Sequence, residues 1–231
     1  MTGNSIKRDV IVIGASIGGV QALLGLCEAL PDDLPAIVGV VIHRSPWYRI
    51  DAAALYGHRS RIRVREGRSG DSLIAGTVYF APSDHHMLFG ASGIELSRGP
   101  RVHFVRPAVD MLFVSAATAF RDRVAGILLT GGGADGAHGL VTIKAQGGLS
   151  IVQRPSEAAD PTMPLTGLRE DSVDYVASLE ELPSLLTALA SGEPVVTRRE
   201  PANAHPHDGI RKGKTDGERR QDDRKVSQSQ H

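Results

Sequence analysis

Three polar residues follow three separate apolar runs, and their types are those of a nucleophile, a base and an orienting acid. Ser16 comes after the run at residues 10–13, His43 after 37–42, and Asp135 after 127–129. A serine hydroxyl is a weak nucleophile near neutral pH, but a histidine within hydrogen-bond reach can take its proton and return it to the leaving group. A carboxylate on the other ring nitrogen fixes the tautomer and stabilises the imidazolium. Together, these residue types indicate serine-hydrolase chemistry.

Glycines surround two of these positions. Residues 14–18 read GASIG, which matches the G-x-S-x-G turn that exposes a serine between a strand and a helix. The helix that follows presents unpaired backbone N–H groups toward developing negative charge. Three glycines at 131–133 come just before Asp135, and their backbone is a further source of oxyanion donors.

The elements that must position these residues alternate between strand-like and helix-like patterns. Apolar β-branched runs predict strands, amphipathic stretches predict helices, and two short runs split by glycines predict a hairpin. We expect strands at 10–13, 37–42, 77–81, 127–129, 149–152 and 174–176, helices at 18–30, 51–56, 109–120, 140–145 and 179–190, and a hairpin from 87–89 and 94–96. This alternation favours an α/β fold with a doubly wound, mostly parallel sheet, helices on both faces and a small antiparallel hairpin. Ligands of such sheets bind outside the carboxyl ends of the strands, so the three residues should meet there.

The composition excludes several classes of function. The 231 residues include 26 Lys plus Arg and 26 Asp plus Glu, so no excess charge indicates nucleic acid or an anionic membrane as a partner. The single cysteine, Cys27, excludes an internal disulfide and a zinc site built from several cysteines. No apolar run approaches the ~20 residues of a membrane span, and the start lacks a signal-peptide core. We therefore expect a cytoplasmic protein without membrane insertion.

The composition also changes near residue 197. The segment 197–231 has nine basic and six acidic residues but only two large aliphatic ones. So few apolar groups cannot offset the entropy cost of ordering the chain. We predict a catalytic domain at 6–196 and a disordered charged tail at 197–231.

Two other folds and functions have weaker support. The glycines after the first strand also suit a phosphate-binding turn, but their spacing is G-x-x-x-G-G instead of G-x-G-x-x-G, which argues against a nucleotide-binding domain. An α/β-hydrolase carries its triad in the order Ser, Asp, His, whereas here the order is Ser, His, Asp.

Several other polar residues are rivals or bystanders. Asp84 follows the strand at 77–81 and is a rival for the acid role, whereas Asp110 has the character of an ordinary helix residue. His103 and His138 suit the surface or a supporting position. The adjacent residues His85 and His86 would point opposite ways on an extended chain and make a poor metal pair.

Seven segments resemble the catalytic domain of the CheB protein-glutamate methylesterases, in the family's order. They are VIVIGASIGGVQAL at 10–23, VVIHRSP at 40–46, VYFAPSDHHML at 78–88, RPAVDMLFVSAA at 106–117, GILLTGGGADGAHGL at 126–140, GGLSIVQ at 147–153 and MPLTGL at 163–168. The resemblance implies Ser16 as nucleophile, His43 as general base and Asp135 as its orienting acid, with no metal or organic cofactor. It also implies hydrolysis of glutamate γ-methyl esters on the helices of methylated receptors or other signalling proteins, with deamidation of glutamines in some members.

The sequence departs from the family in three places. Members commonly carry an N-terminal receiver domain, whereas here the first catalytic strand begins near Asp9, so we expect a stand-alone domain with a separate regulator. Ile17 stands where a threonine is common, and Gly132 replaces a methionine whose backbone N–H is an oxyanion donor. We expect the N–H groups of Gly132 and Ile17 to form the oxyanion hole. These departures keep one alternative open, a catalytically weak or inactive binding module of a signalling pathway.

Overall fold

A computed structural model describes residues 6–43, 51–171 and 173–195. Its strands are β1 (Val10–Ala15), β2 (Ile37–Ile42), β3 (Arg63–Glu66), β4 (Thr77–Phe80), β5 (His86–Gly90), β6 (Gly93–Ser97), β7 (Val124–Leu128), β8 (Leu149–Gln153) and β9 (Tyr175–Ala177). Its α-helices are α1 (Gly19–Ala29), α2 (Ala52–Tyr56), α3 (Val109–Phe120), α4 (Ala137–Ala145), α5 (Thr162–Glu170) and α6 (Leu182–Ser191). The predicted tail at 197–231 and residues 44–46 of the VVIHRSP segment lie outside the described residues.

Seven strands form one sheet in the order β3-β4-β2-β1-β7-β8-β9, and every neighbouring pair in it is parallel. Strands β5 and β6 form a separate antiparallel hairpin. From β1 the chain moves to β2 on one side and later returns to β7 on the other, so the winding reverses at β1. Ligands of open α/β sheets bind at such a reversal. The predicted doubly wound sheet and hairpin are confirmed.

Alternate residues of the central strand face two different cores. Ile11 and Ile13 pack with α1, α2 and α6, whereas Val10 and Val12 pack with α3, α4 and the hairpin. This two-residue alternation is the geometry of a strand buried on both faces. It explains why strands such as β2 read as continuous apolar runs in the sequence. No helix among the described residues is long and apolar enough to cross a membrane.

The start of α3 lies unusually close to the carboxyl end of β1. A Cβ added at Gly14 would collide with the side chain of Val109, the first residue of α3. A Cβ added at Gly136 would lie 2.6 Å from Val109 Cγ1, and the positive φ of Gly136 also favours glycine. Glycines at both positions therefore let the N-terminus of α3 reach the edge where the predicted site residues lie.

Candidate active site

Ser16 lies in a tight turn between β1 and α1. Its backbone N–H donates to Thr130 O at 3.0 Å, and its own carbonyl accepts from Gly19 N–H at 2.9 Å. Gly18 caps α1 with φ of +77°, a left-handed conformation that L side chains rarely adopt. Ser16 is half-buried, and the neighbouring Ile17 side chain is exposed. The turn thus has the form that the GASIG motif predicts, with the hydroxyl at the edge of the sheet.

His43 follows β2 at the position that corresponds to Ser16 on the next strand. Ala15 and Ile42 are register partners in the parallel pair, and His43 N–H donates to Ala15 O at 3.0 Å. Adjacent strands lie about 4.8 Å apart, so the backbone at His43 lies directly beside the nucleophile turn. Within the described residues, no hydrogen bond joins the Ser16 hydroxyl to the imidazole. Catalytic hydrogen bonds are often long in proteins without substrate and shorten in the complex.

The imidazole of His43 pairs with Asp135. Nε2 lies 2.7 Å from Asp135 Oδ2, and both side chains are largely removed from solvent. Because Nε2 contacts the carboxylate, Nδ1 is the ring nitrogen that remains for a further partner. In the chymotrypsin-type triad the carboxylate contacts Nδ1 instead.

Asp135 is held by the N-terminus of α3. Its Oδ2 accepts from Val109 N–H at 2.7 Å, and its Oδ1 accepts from Asp110 N–H at 2.9 Å. The first N–H groups of a helix have no partner inside the helix, and the helix dipole favours negative charge there. The Asp135 carboxylate thus accepts the unpartnered N–H groups at the start of α3, and it also contacts the imidazole of His43.

Asp110 is buried beside Asp135, although the sequence pattern indicates only an ordinary helix residue. Its Oδ1 accepts from Gly136 N–H at 3.0 Å and Gly139 N–H at 2.7 Å, and its Oδ2 lies 2.9 Å from His103 Nε2. Burial and then the charge of Asp135 raise the pKa of Asp110. His103 occupies the supporting position that the sequence allowed for it. No sequence signal marks Asp110, because Asp135 and the two glycine N–H groups that it accepts lie 25 or more residues away.

The rival acid, Asp84, belongs to a different cluster. Its Oδ1 accepts from Arg106 at 2.6 and 3.0 Å, and Arg98 lies 3.5 Å from its Oδ2. The hydrogen bond with Arg106 lowers the pKa of Asp84. The partners of the Asp84 carboxylate are therefore two arginines, Arg98 and Arg106, instead of an imidazole.

The glycine loop at 131–133 lies against the nucleophile. Gly131 N–H donates to Asp160 O at 2.9 Å, and Gly131 O accepts from Met163 N–H at 2.8 Å, so the loop is fixed by the segment that begins α5. Among the described residues, the N–H groups of Gly132 and Ile17 have no protein acceptor. These are the two N–H groups predicted for the oxyanion hole.

Thr130 joins the two halves of this proposed hole, a role that the sequence did not suggest. Its hydroxyl donates to Ile17 O at 2.9 Å and accepts from Asp160 N–H at 2.9 Å. Its own N–H donates to Gln153 Oε1 at 2.8 Å. The buried Thr130 hydroxyl thus links the Ile17 carbonyl to Asp160, whose own carbonyl accepts from Gly131 N–H.

Among the described residues, one group of three side chains offers enough ligand atoms to hold a metal ion. Ligand atoms of His103, Asp110 and Asp135 lie within 4.8 Å of one another. However, both oxygens of each carboxylate already contact a nitrogen of the protein. The cluster is therefore better described as a hydrogen-bond network than as a metal centre.

The fold and these contacts define an α/β domain whose reactive residues lie at the carboxyl edge of a parallel sheet. Residues 11–186 match the family model for the CheB methylesterase. The solved catalytic domain of Thermotoga maritima CheB methylesterase superposes with a TM-score of 0.75 at 30% identity, covering 80% of this chain and all of that one. The chain belongs to the CheB methylesterase family, and the resemblance noted in the sequence is confirmed.

Curated relatives agree in name but differ in length. A protein-glutamate methylesterase/protein-glutamine glutaminase of Anaeromyxobacter dehalogenans is 41% identical over 183 residues, which are 79% of this chain and 54% of that protein. One of Pyrococcus horikoshii is 38% identical over 76% of this chain and 49% of its own length. A putative one of Leptospira interrogans is 36% identical over 80% of this chain and 96% of its own length. The chain thus spans about half the length of the first two relatives.

Proposed function

We propose that this protein is a serine hydrolase that removes methyl groups from glutamate γ-methyl esters of chemoreceptor-type signalling proteins. The observation that carries the proposal is the 2.7 Å contact between His43 Nε2 and Asp135 Oδ2, placed beside the turn that holds Ser16. Nucleophile, base and orienting acid then occupy three adjacent strand ends, which is the arrangement that acyl transfer requires.

In the first half-reaction, Ser16 Oγ attacks the ester carbonyl while His43 Nδ1 takes the hydroxyl proton. Asp135 stabilises the imidazolium at Nε2, and the N–H groups of Ile17 and Gly132 donate to the oxyanion. When the tetrahedral intermediate collapses, His43 returns the proton to the methoxy oxygen. Methanol leaves, and the glutamyl group remains bound to Ser16 as an ester.

In the second half-reaction, water takes the place of methanol. His43 Nδ1 removes a proton from the water as its oxygen attacks the acyl carbon, and then returns a proton to Ser16 Oγ. The products are a free glutamate side chain and the regenerated serine. Deamidation of a glutamine needs the same groups, with ammonia as the leaving group, and the relatives named protein-glutamine glutaminase support it for this chain as well.

Three further parts of the proposal concern the setting of the enzyme. Its substrate is the methylated helix of a receptor or another signalling protein, and a separate regulator controls it. The catalytic unit is 6–196, with 197–231 as a charged tail. The location is cytoplasmic, which agrees with a single buried cysteine that has no disulfide partner. The binding-module alternative is not favoured, because the relatives of this chain are named as methylesterases.

The test compares Ser16→Ala with Ser184→Ala, an exposed serine on α6. Methanol release from methylated receptor in isolated membranes should be abolished in the first variant and kept in the second. A fluorophosphonate probe should label the wild type and Ser184→Ala but leave Ser16→Ala unlabelled. Equal methanol release from Ser16→Ala and wild type would refute the proposal.

A further inference from the structure

We propose that Asp110 is a positioning residue for the triad, and that its charge, balanced by His103, tunes the basicity of His43. The inference rests on the function proposed above, because it concerns the same reaction. Asp110 touches neither the reacting atoms nor His43, and it acts through Asp135.

Asp110 and Asp135 cap each other's helices. Asp135 directly precedes Gly136, the N-cap of α4, and its carboxylate accepts two N–H groups from the start of α3. Asp110 lies in the first turn of α3, and its carboxylate accepts two N–H groups at the start of α4. Each carboxylate is thus bound by the helix that the other one begins. Movement of Asp110 would release Gly136 and, with it, the backbone that carries Asp135.

The reciprocal capping places two carboxylates side by side away from water. Asp110 is 5% exposed and Asp135 is 2% exposed. Each has one imidazole as a partner, since His43 contacts Asp135 at 2.7 Å and His103 contacts Asp110 at 2.9 Å. Oxygens of the two carboxylates lie within 4.8 Å of each other. Charges at such a separation interact strongly when they are screened little by solvent. The charge of Asp110 therefore acts on the Asp135–His43 pair.

Other ionisable groups on the elements packed against α3 do not take this role. His86 of β5 accepts Ala108 N–H at Nδ1 and contacts Pro100 O through Nε2, so backbone groups occupy both of its ring nitrogens. On α4, His138 is exposed and Lys144 pairs with Asp174. The residues at 121–123 follow the opposite end of α3, and β1, β2 and β7 carry no ionisable side chain. Asp135 and His103 are the groups whose charges act on Asp110.

The signs of the effects follow from electrostatics. A negative Asp110 stabilises the imidazolium that His43 becomes during proton transfer, so it raises the basicity of Nδ1. A positive His103 offsets that charge and lowers the basicity. Removal of the negative charge of Asp110 should therefore lower the basicity of His43, and removal of a positive charge at His103 should raise it.

The experiment uses Asp110→Asn, which keeps an oxygen for Gly136 and Gly139, and His103→Gln, which keeps a donor for Asp110. The acid limb of the kcat/KM profile for ester hydrolysis and the NMR titration of the His43 ring are both measured. We expect Asp110→Asn to move both to lower pH and His103→Gln to move both to higher pH, each by about half a unit or more. His138→Gln, on the exposed face of α4, should leave both at the wild-type position.

A purely structural role for Asp110 would lower activity or thermal stability without moving either curve. Coincident titrations for Asp110→Asn and wild type would therefore overturn the proposal, as would a shift of both variants in the same direction. No shift in His103→Gln would overturn the balancing role of His103. The NMR titration needs no turnover. If the wild type hydrolysed no ester, the proposed function would fail while this inference could still be judged.

Discussion

Gly131 lies directly against Ser16, so close that a Cβ added to the glycine would fall 2.6 Å from the serine Cβ and 2.9 Å from the serine backbone nitrogen. The next residue, Gly132, differs in this respect. A Cβ added there would meet its nearest atom, Asp160 Oδ2, at 3.2 Å, and φ at Gly132 is not in the left-handed region. Two neighbouring glycines of one loop therefore differ in their tolerance of a side chain.

Gly131→Ala should cost about tenfold or more in kcat, because the added methyl group would fall 2.3 Å from Met163 Sδ as well as against Ser16. Movement of Met163 alone would not relieve the contact with Ser16, and small misplacements at a reacting centre are costly. Gly132→Met, which places the family's residue in the loop, should stay within a few-fold of wild type because the backbone N–H is retained. Steady-state methanol release by both variants measures the difference. Similar losses in the two variants would show that the contact with Ser16 is not the reason for the glycine at 131.

Asp135→Asn should lower kcat by about 10³ to 10⁴-fold, because an amide in place of the carboxylate favours the wrong tautomer of His43. His43→Gln should cost about as much as Ser16→Ala, since members of such a set act as a unit. Asp84→Asn is the matched control, because it disrupts the Arg106 pair but leaves the contacts of Asp135 unchanged. A loss in Asp84→Asn comparable to that in Asp135→Asn would reopen the assignment of the acid.

Asp110→Asn should also change how stability depends on pH. The pKa of Asp110 is raised in the folded protein, so between its unfolded and folded pKa values the native state binds more protons than the unfolded state. The contribution of this carboxyl is therefore most favourable at low pH and is lost as pH rises through the folded pKa. The free energy of unfolding of the wild type should fall relative to that of Asp110→Asn across this window. Denaturant titrations of both proteins from about pH 4 to pH 8 test it, and parallel curves would contradict it.

Cys27 should be inert in the folded protein. Burial raises the pKa of its thiol to about 12, and the thiolate is the reactive form. A thiol reagent such as DTNB should therefore react slowly with the native protein and rapidly in denaturant. Rapid reaction under native conditions would mean that the packing of α1 on the sheet opens more readily than its burial implies.

The sequence was sufficient for the central strands and for the placement of Ser16, His43 and Asp135 at three neighbouring strand ends. A strand buried on both faces must be apolar throughout, so β2 stands out, and the polar residue that follows it must lie at the sheet edge. Strand β3 was not predicted because Arg63–Glu66 is a charged run at the sheet edge, where pairing leaves no apolar pattern. Helix α5 was not predicted because Pro164 and Gly167 are poor helix formers.

The supporting contacts of the site could not be predicted for a different reason. Asp110 caps α4 and Thr130 fixes the Ile17 peptide, and both contacts join segments distant in sequence. Helical periodicity places Asp110 on α3, but it does not say that α3 begins against the loop after β7. That knowledge requires the packing of Val109 against Gly14 and Gly136.

The hydrogen bond between His43 and Asp135 spans 92 positions of the chain, and the strand that brings Asp135 to the site pairs with the far side of β1. Ser16 and His43 can come together as soon as β1 and β2 pair, yet they lack their acid until β7 has been added. If the proposed mechanism holds, a growing chain on the ribosome cannot hydrolyse esters until its sheet has been extended past β1 to β7. The proposed catalysis is thereby tied to assembly of both sides of the sheet around β1.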